Sequence, residues 1–505
     1  CQERDPRMGL CDAASEFAEF ASQAEPTGSV AESEFKGFAR QLALGAAVAL
    51  AALSACAQPL IQDGAIREDF MRDIVANTAR ARAIEPKGPI TARAVNRDEL
   101  LAILSEAFDK WKTPAELADY ERALIALGLW PAGRDLYAEA LAVYGEEIVG
   151  IYVPSSEELL LVSNARAPRS AIPERERVTS QANSKDSPAR SPVSERGRAT
   201  PQANPQNSPA SGLESLSAVS RRNSQTEFAL SHEIIHLLQH QAYPELMDPD
   251  WMPKNSDDLE AAIQAALEGD AMRFSFDAIG LRAPMPEEWM ALLDGQFPGL
   301  EGSALAKAPA LIRLTFDFPY ARGYAMAWRE KFSLLESPPI STEQALHDDR
   351  RLEAFLQMDL TELEDRLPAD CRTLQRNTVG ELQISALFRD LSEGPNPAIW
   401  GGWNGDRYLV ADCAGRTEWV WWTAWDSATD AAEFADAYFE LAPAVAARAS
   451  SKRPVLARVG ATYVVVTSSG FAEEASKPPP PATRVADLVS LQALLHSTEK
   501  RALHQ

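Results

Sequence analysis

Positive charge is in short supply. Lysine and arginine total 49 against 73 aspartates and glutamates, a formal charge of −24 over 505 residues. Phosphate backbones are gripped by clustered cations, so this balance excludes a nucleic-acid partner. No glycine-rich loop follows a strand pattern, which removes the nucleotide cradle that depends on one. Cysteine is rare, with five residues at 1, 11, 56, 371 and 413. Residues 165–224 hold no aromatic side chain and are rich in Ser, Pro, Asn, Gln and Arg. Such a stretch cannot bury enough apolar surface to fold alone, so a disordered surface insertion is expected there. The rest, with 46% hydrophobic residues overall, suffices for two or three globular domains. Histidine is almost as rare as cysteine. There are six, yet His232, His236 and His240 fall within nine positions.

That cluster is the most informative feature of the chain. His232-Glu233-Ile234-Ile235-His236 is an H-E-x-x-H pattern. On a helix, two His four residues apart share one face, about 6 Å apart along the axis. Their imidazoles can converge on one Zn²⁺, with Glu233 beside a water on that metal. Ile234, Ile235, Leu237 and Leu238 supply the apolar packing of a buried helix. His240 is rotated by about 80° from His232, so it is expected to support the site or face the surface.

Two His need a third protein ligand and an open position for water. A second helix, capped by Ser256, is expected downstream. It carries two carboxylates that compete for the role, Glu268 and Glu260. Glu268 is preferred, because it begins Glu-x-x-Ala and because small Gly269 and Ala271 would let this helix approach the first. Asp270 is expected to steady a ligand His. Glu233 is the expected general base.

From these residues outward the chain resembles a poorly characterised group of bacterial predicted zinc metallopeptidases. The likeness rests on Tyr152 and its apolar hairpin, His236-Leu237-Leu238-Gln239-His240-Gln241, and Ala266-Leu267-Glu268-Gly269-Asp270-Ala271. Later matches are Tyr320 with Gly323, Pro338–His347, Gly402–Tyr408, Trp425-Asp426 and Ala432-Glu433-Phe434. It covers roughly residues 85–165 and 226–470. His240 stands where the group has Asp, and the insertion before the metal helix is long. The resemblance implies a gluzincin-like peptidase that takes a peptide or protein substrate. Tyr320 and His347, polar groups in matched segments, are the candidates for oxyanion donor. Two alternatives stay open. One is an envelope lipoprotein whose zinc site is structural or inactive, acting in binding or assembly. The other is a zinc hydrolase acting on a cell-wall amide.

The fold expected is α+β, a mainly helical zincin-like catalytic part with a small hairpin or sheet, plus a small α+β C-terminal region. Lys36 and Arg40 precede an apolar run that ends at Leu53-Ser54-Ala55-Cys56. The run is too short to span a bilayer comfortably and suits a signal peptide. It resembles a lipobox, which implies a lipid on Cys56 and a membrane-anchored protein of the cell envelope. Ala57 and Gln58 point to the outer membrane. Residues 1–55 are thus expected to be an upstream extension and signal peptide. Residues 56–164 should hold helices and an edge hairpin, 165–224 the insertion, and 225–370 the zinc-binding part. Residues 371–475 should form the small α+β region and 476–505 a tail. Cys371 and Cys413 either pair or remain buried thiols. Thr113-Pro114-Ala115-Glu116 is a capping box for a helix ending at Gly128. Ile148–Val153 and Leu159–Val162 flank Pro154-Ser155-Ser156 as a hairpin, whose free edge could receive an extended peptide. The tryptophans from 400 to 425 read as core.

Overall fold

Thr113 caps its helix as the sequence expects. Its hydroxyl accepts from the Glu116 N–H at 3.3 Å, and Glu116 accepts from the Thr113 N–H at 2.8 Å. The helix runs Pro114–Ala126 and ends at Gly128, whose φ of +79° suits a residue without a Cβ. This computed structural model describes residues 61–62, 65–162, 210–247, 253, 255–296, 303–394 and 396–502. The expected signal peptide, Cys56 and most of the expected insertion lie outside the described residues. Among the described residues no helix is long and apolar enough to cross a membrane. The fold is α+β. Residues Ile61–Ser163 and Glu227–Gln505 form one compact unit.

Three elements frame the site. The metal helix is Ala210–Ala242 and the carboxylate helix is Asp257–Ala278. The third is a small sheet ordered Thr91–Val95, Glu158–Val162, Gly150–Val153. Gly150–Val153 and Glu158–Val162 form the expected antiparallel hairpin, which leaves Gly150–Val153 at the edge. Thr91–Val95 joins the other side in parallel, an addition that its weak Thr-Ala-Arg-Ala-Val pattern did not announce.

The metal helix corrects one expectation. Its backbone is helical from Ala210, inside the segment expected to be disordered. Leu213, Leu216 and Val219 recur every third residue there, a helical spacing that a reading by composition overlooks. Between Ala310–Phe318 and Tyr324–Glu330 the chain makes a π-helical turn, Pro319–Gly323. Pro319 has no N–H to give a regular ladder, so a widened turn is a natural accommodation. It presents Tyr320.

The C-terminal part is a five-stranded antiparallel sheet. Its order is Val455–Val459, Tyr463–Thr467, Arg416–Trp425, Trp403–Cys413, Cys371–Asn377. The tryptophans are core, divided by strand alternation. Trp421 and Trp425 pack on Phe434 of the helix Ala428–Arg448, while Trp422 faces Met358, Leu409 and Phe471. Cys371 and Cys413 sit opposite each other on neighbouring strands and form a disulfide. The strand Cys371–Asn377 and the short helix Thr342–Leu346 together hold the start of the carboxylate helix. Asn377 Nδ2 donates to Asp257 at 2.6 Å, and the Thr342 N–H donates to Asp258 at 3.0 Å.

Candidate metal centre

The i, i+4 spacing works as expected. His232 and His236 lie on one face of the metal helix with their Nε2 atoms 3.1 Å apart. The carboxylate helix brings Glu268 Oε2 to 3.0 Å from His232 Nε2 and 3.5 Å from His236 Nε2. Among the described residues these three form the one group of His, Cys, Asp and Glu gathered closely enough to hold an ion. Glu260 lines the same cavity but is not part of the group. His240 turns aside, its Nδ1 2.8 Å from the Tyr152 hydroxyl. His347 does not reach the site. It pairs with buried Glu381 at 2.8 Å and does not line the cavity. The expectation that it stabilises an oxyanion is therefore withdrawn. The short helix Thr342–Leu346 directs it toward the helix Gly380–Leu391 instead.

The orientation of His236 follows from a neighbour that sequence reasoning missed. Gln239 is fully buried, one turn on. Its Nε2 donates to Leu267 O at 3.0 Å and to Asp270 Oδ2 at 2.8 Å, so its Oε1 is left facing His236 Nδ1 at 2.9 Å. An amide oxygen only accepts, so Nδ1 carries the hydrogen and the Nε2 lone pair points into the cluster. Asp270 reaches His236 through Gln239 and not directly. Asp270 is itself held by Arg82 Nε at 2.8 Å, whose guanidinium lies 5.1 Å from the Phe274 ring centre and 5.7 Å from that of Phe332. The i+3 position of a glutamine after a ligand His was the available signal. Gln239→Leu should weaken zinc binding about 10–100-fold while leaving the helix folded. Competition with a calibrated zinc chelator measures this, and an unchanged affinity would remove the orienting role.

This donor set fits zinc. Two imidazole nitrogens and one carboxylate oxygen are its usual ligands, and three of them leave a fourth position for water. The electrostatics agree. Burial opposes charge on His236, but the Glu268 carboxylate outweighs it and pushes the imidazole pKa up to about 9. Burial likewise opposes charge on Glu268, but His236 and His232 hold its carboxyl far below the ordinary range. In the absence of an ion, then, this cluster draws in positive charge.

Glu233 lies between the metal helix and the edge strand. Val149 and Val162 are a hydrogen-bonded pair at 2.9 Å, so by alternation Gly150 and Tyr152 turn their N–H and C=O groups to the open side. The Tyr152 N–H bonds the Glu233 carboxylate. A Cβ on Gly150 would stand 3.0 Å from Glu233 Cγ, so the glycine makes room for the acid. Burial raises the pKa of Glu233, with the two His opposing. Tyr320 completes the ring of groups. Its hydroxyl bonds Glu268, and its ring centre is 6.4 Å from that of His232. Burial first, and then Glu268 and Glu233, push its pKa well up, so it stays an O–H donor. All these residues open on a cavity of about 610 Å³ with mostly apolar walls.

A family described as a domain of unknown function (DUF8575) matches residues 367–476, which include the five-stranded sheet but none of the metal cluster. No curated protein and no solved structure matches the chain.

Proposed function

We propose that this chain is a zinc-dependent metallopeptidase of the gluzincin kind, hydrolysing peptide bonds with Glu233 as general base. One observation carries the reading. His232 Nε2, His236 Nε2 and Glu268 Oε2 converge within 3.5 Å, with Glu233 alongside and an open strand edge next to it. His232, His236 and Glu268 would hold the ion. Zinc would supply a Lewis acid and bring the pKa of a water from ~15.7 toward ~7.

The remaining work falls to the chain. An extended peptide adds to the edge strand through main-chain hydrogen bonds, which aligns its scissile carbonyl with the cluster. The Glu233 carboxylate takes a proton from the attacking water and passes it to the nitrogen of the departing amine. Its Tyr152 N–H bond and the space at Gly150 hold it for both transfers. The Tyr320 O–H is the donor nearest the developing oxyanion, a contact of a kind worth ~3–4 kcal/mol. The apolar walls keep bulk water away, so each of these charges acts in a low dielectric. The apolar run ending at Leu53-Ser54-Ala55-Cys56 supports a separate part of the proposal, an envelope lipoprotein anchored through Cys56.

Metal analysis and cleavage assays on an unfolded protein substrate test this. Purified protein should carry about one zinc per chain. It should cut the substrate, lose that activity to a zinc chelator and regain it on adding zinc. Cleavage that a chelator does not touch would defeat the proposal. So would a zinc-loaded protein that cuts only cell-wall amides, or nothing at all.

A further inference from the structure

Tyr152 meets the metal helix at two points. Its N–H bonds the Glu233 carboxylate, and its hydroxyl lies 2.8 Å from His240 Nδ1. Glu233 and His240 are seven residues apart, so they share one helix face and stand about 10.5 Å apart along the axis. One residue of the edge strand therefore bridges two turns of the helix that carries His232 and His236. The rings agree with this, their centres being 5.8 Å apart. The bond to Glu233 alone sets the distance between strand and helix at one point. The second bond, two turns away, sets the angle between them as well.

The neighbours of His240 extend the pattern. Successive helical residues turn by about 100°, so 239, 240 and 241 face three directions. Gln239 faces the carboxylate helix, where it holds Leu267 O and Asp270. Gln241 Oε1 accepts from the Lys87 N–H at 2.8 Å, shortly before the strand Thr91–Val95. His240 takes the strand Gly150–Val153. Those two strands flank Glu158–Val162, so the last turn of the metal helix secures the small sheet near both of its edges. His240 itself neither lines the cavity nor belongs to the metal group.

We infer that His240 is a positioning residue. By holding the Tyr152 hydroxyl it fixes the edge strand against the metal helix, and with it the place of Glu233 and of a docked peptide relative to His232, His236 and Glu268. This rests on the peptidase reading and adds to it the residue that sets the docking edge. A phenol can donate or accept, so either tautomer of His240 serves. A misplacement of about 1 Å among base, substrate and metal can cost about a hundredfold in rate, so a contact remote from the chemistry carries a measurable share of it.

His240→Ala, His240→Asn and Tyr152→Phe, all zinc-loaded, test the inference. Alanine removes the bond, asparagine keeps a polar atom at the place of Nδ1, and phenylalanine keeps the ring without its hydroxyl. Each protein is given a blocked dipeptide, too short to lie along the strand, and a longer peptide of the same core that spans it. His240→Ala and Tyr152→Phe should each lower kcat/KM for the longer peptide about tenfold or more, and its advantage over the dipeptide should shrink. His240→Asn should recover most of the loss. Zinc affinity should stay unchanged, unlike the loss expected of Gln239→Leu. The double variant His240→Ala, Tyr152→Phe should be no worse than either single one, since both remove the same contact. Calorimetry with the longer peptide on Glu233→Gln protein, with and without His240→Ala, reads docking without turnover. Wild-type kcat, KM and length preference in folded His240→Ala would overturn the inference and leave the peptidase reading standing. Additive losses in the double variant, or a loss explained by weaker zinc binding, would overturn it too. If nothing is cut but the longer peptide binds and His240→Ala weakens that binding, the peptidase reading falls and the positioning role stands. Neither cutting nor binding would end both.

Discussion

Glu233→Gln should keep its zinc and lose about 10²–10⁴-fold in kcat, the usual contribution of a positioned acid–base group. Glutamine has nearly the same shape and can still accept the Tyr152 N–H, so the helix and the cluster persist. It cannot take a proton from water. Metal analysis beside single-turnover cleavage separates the two effects. Glu268→Ala should do the opposite and strip zinc from the protein, because it removes one of the three side chains proposed to hold the ion. Glu260→Ala should keep zinc, since Glu260 stands outside the group. If Glu233→Gln cut at the wild-type rate, or if Glu260→Ala emptied the site while Glu268→Ala did not, the assignment would be wrong.

Gly269→Ala should destabilise the protein by about 3 kcal/mol and impair the site from a residue that touches no ligand. A Cβ at Gly269 would stand 2.1 Å from both the carbonyl carbon and the oxygen of Gly323. A Cβ at Gly323 would stand 2.0 Å from Ala265 O. Backbone meets backbone here, so no side-chain rotation relieves the clash. The π-helical turn must retreat, and Tyr320 moves off Glu268 with it. Urea unfolding and zinc affinity should both report the loss. Gly88→Ala is the control, because nothing lies within 4 Å of its Cβ and its φ is not positive. A Gly269→Ala protein as stable as the control would show that the two segments separate without cost.

That contact also corrects the reason given for glycine at 269. Small residues after Glu268 were expected to admit the metal helix. Ala271 does this, packing on Ile235. Gly269 instead faces the Tyr320 turn. One residue along a helix is a rotation of about 100°, so adjacent small residues serve different neighbours. Other parts were legible because their causes are local. A capping box, a hairpin turn and a pair of His at i, i+4 are complete within a few residues. The Gln239, Asp270 and Arg82 relay was not legible as a whole, because Arg82 and Asp270 are 188 residues apart. His347 misled for the same kind of reason. Its place in a matched segment gave no distance, and the structure pairs it with Glu381.

Helical periodicity alone put two imidazoles on one face with an acid beside them, since spacing along a helix needs no partner to define it. Which carboxylate joins them is a matter of distance between two helices. Glu260 and Glu268 share a helix and a cavity, and the packing of Ala271 on Ile235 is what brings the second of them to the nitrogens. Chain connectivity carries no record of that separation, because it arises from contacts made after the helices form.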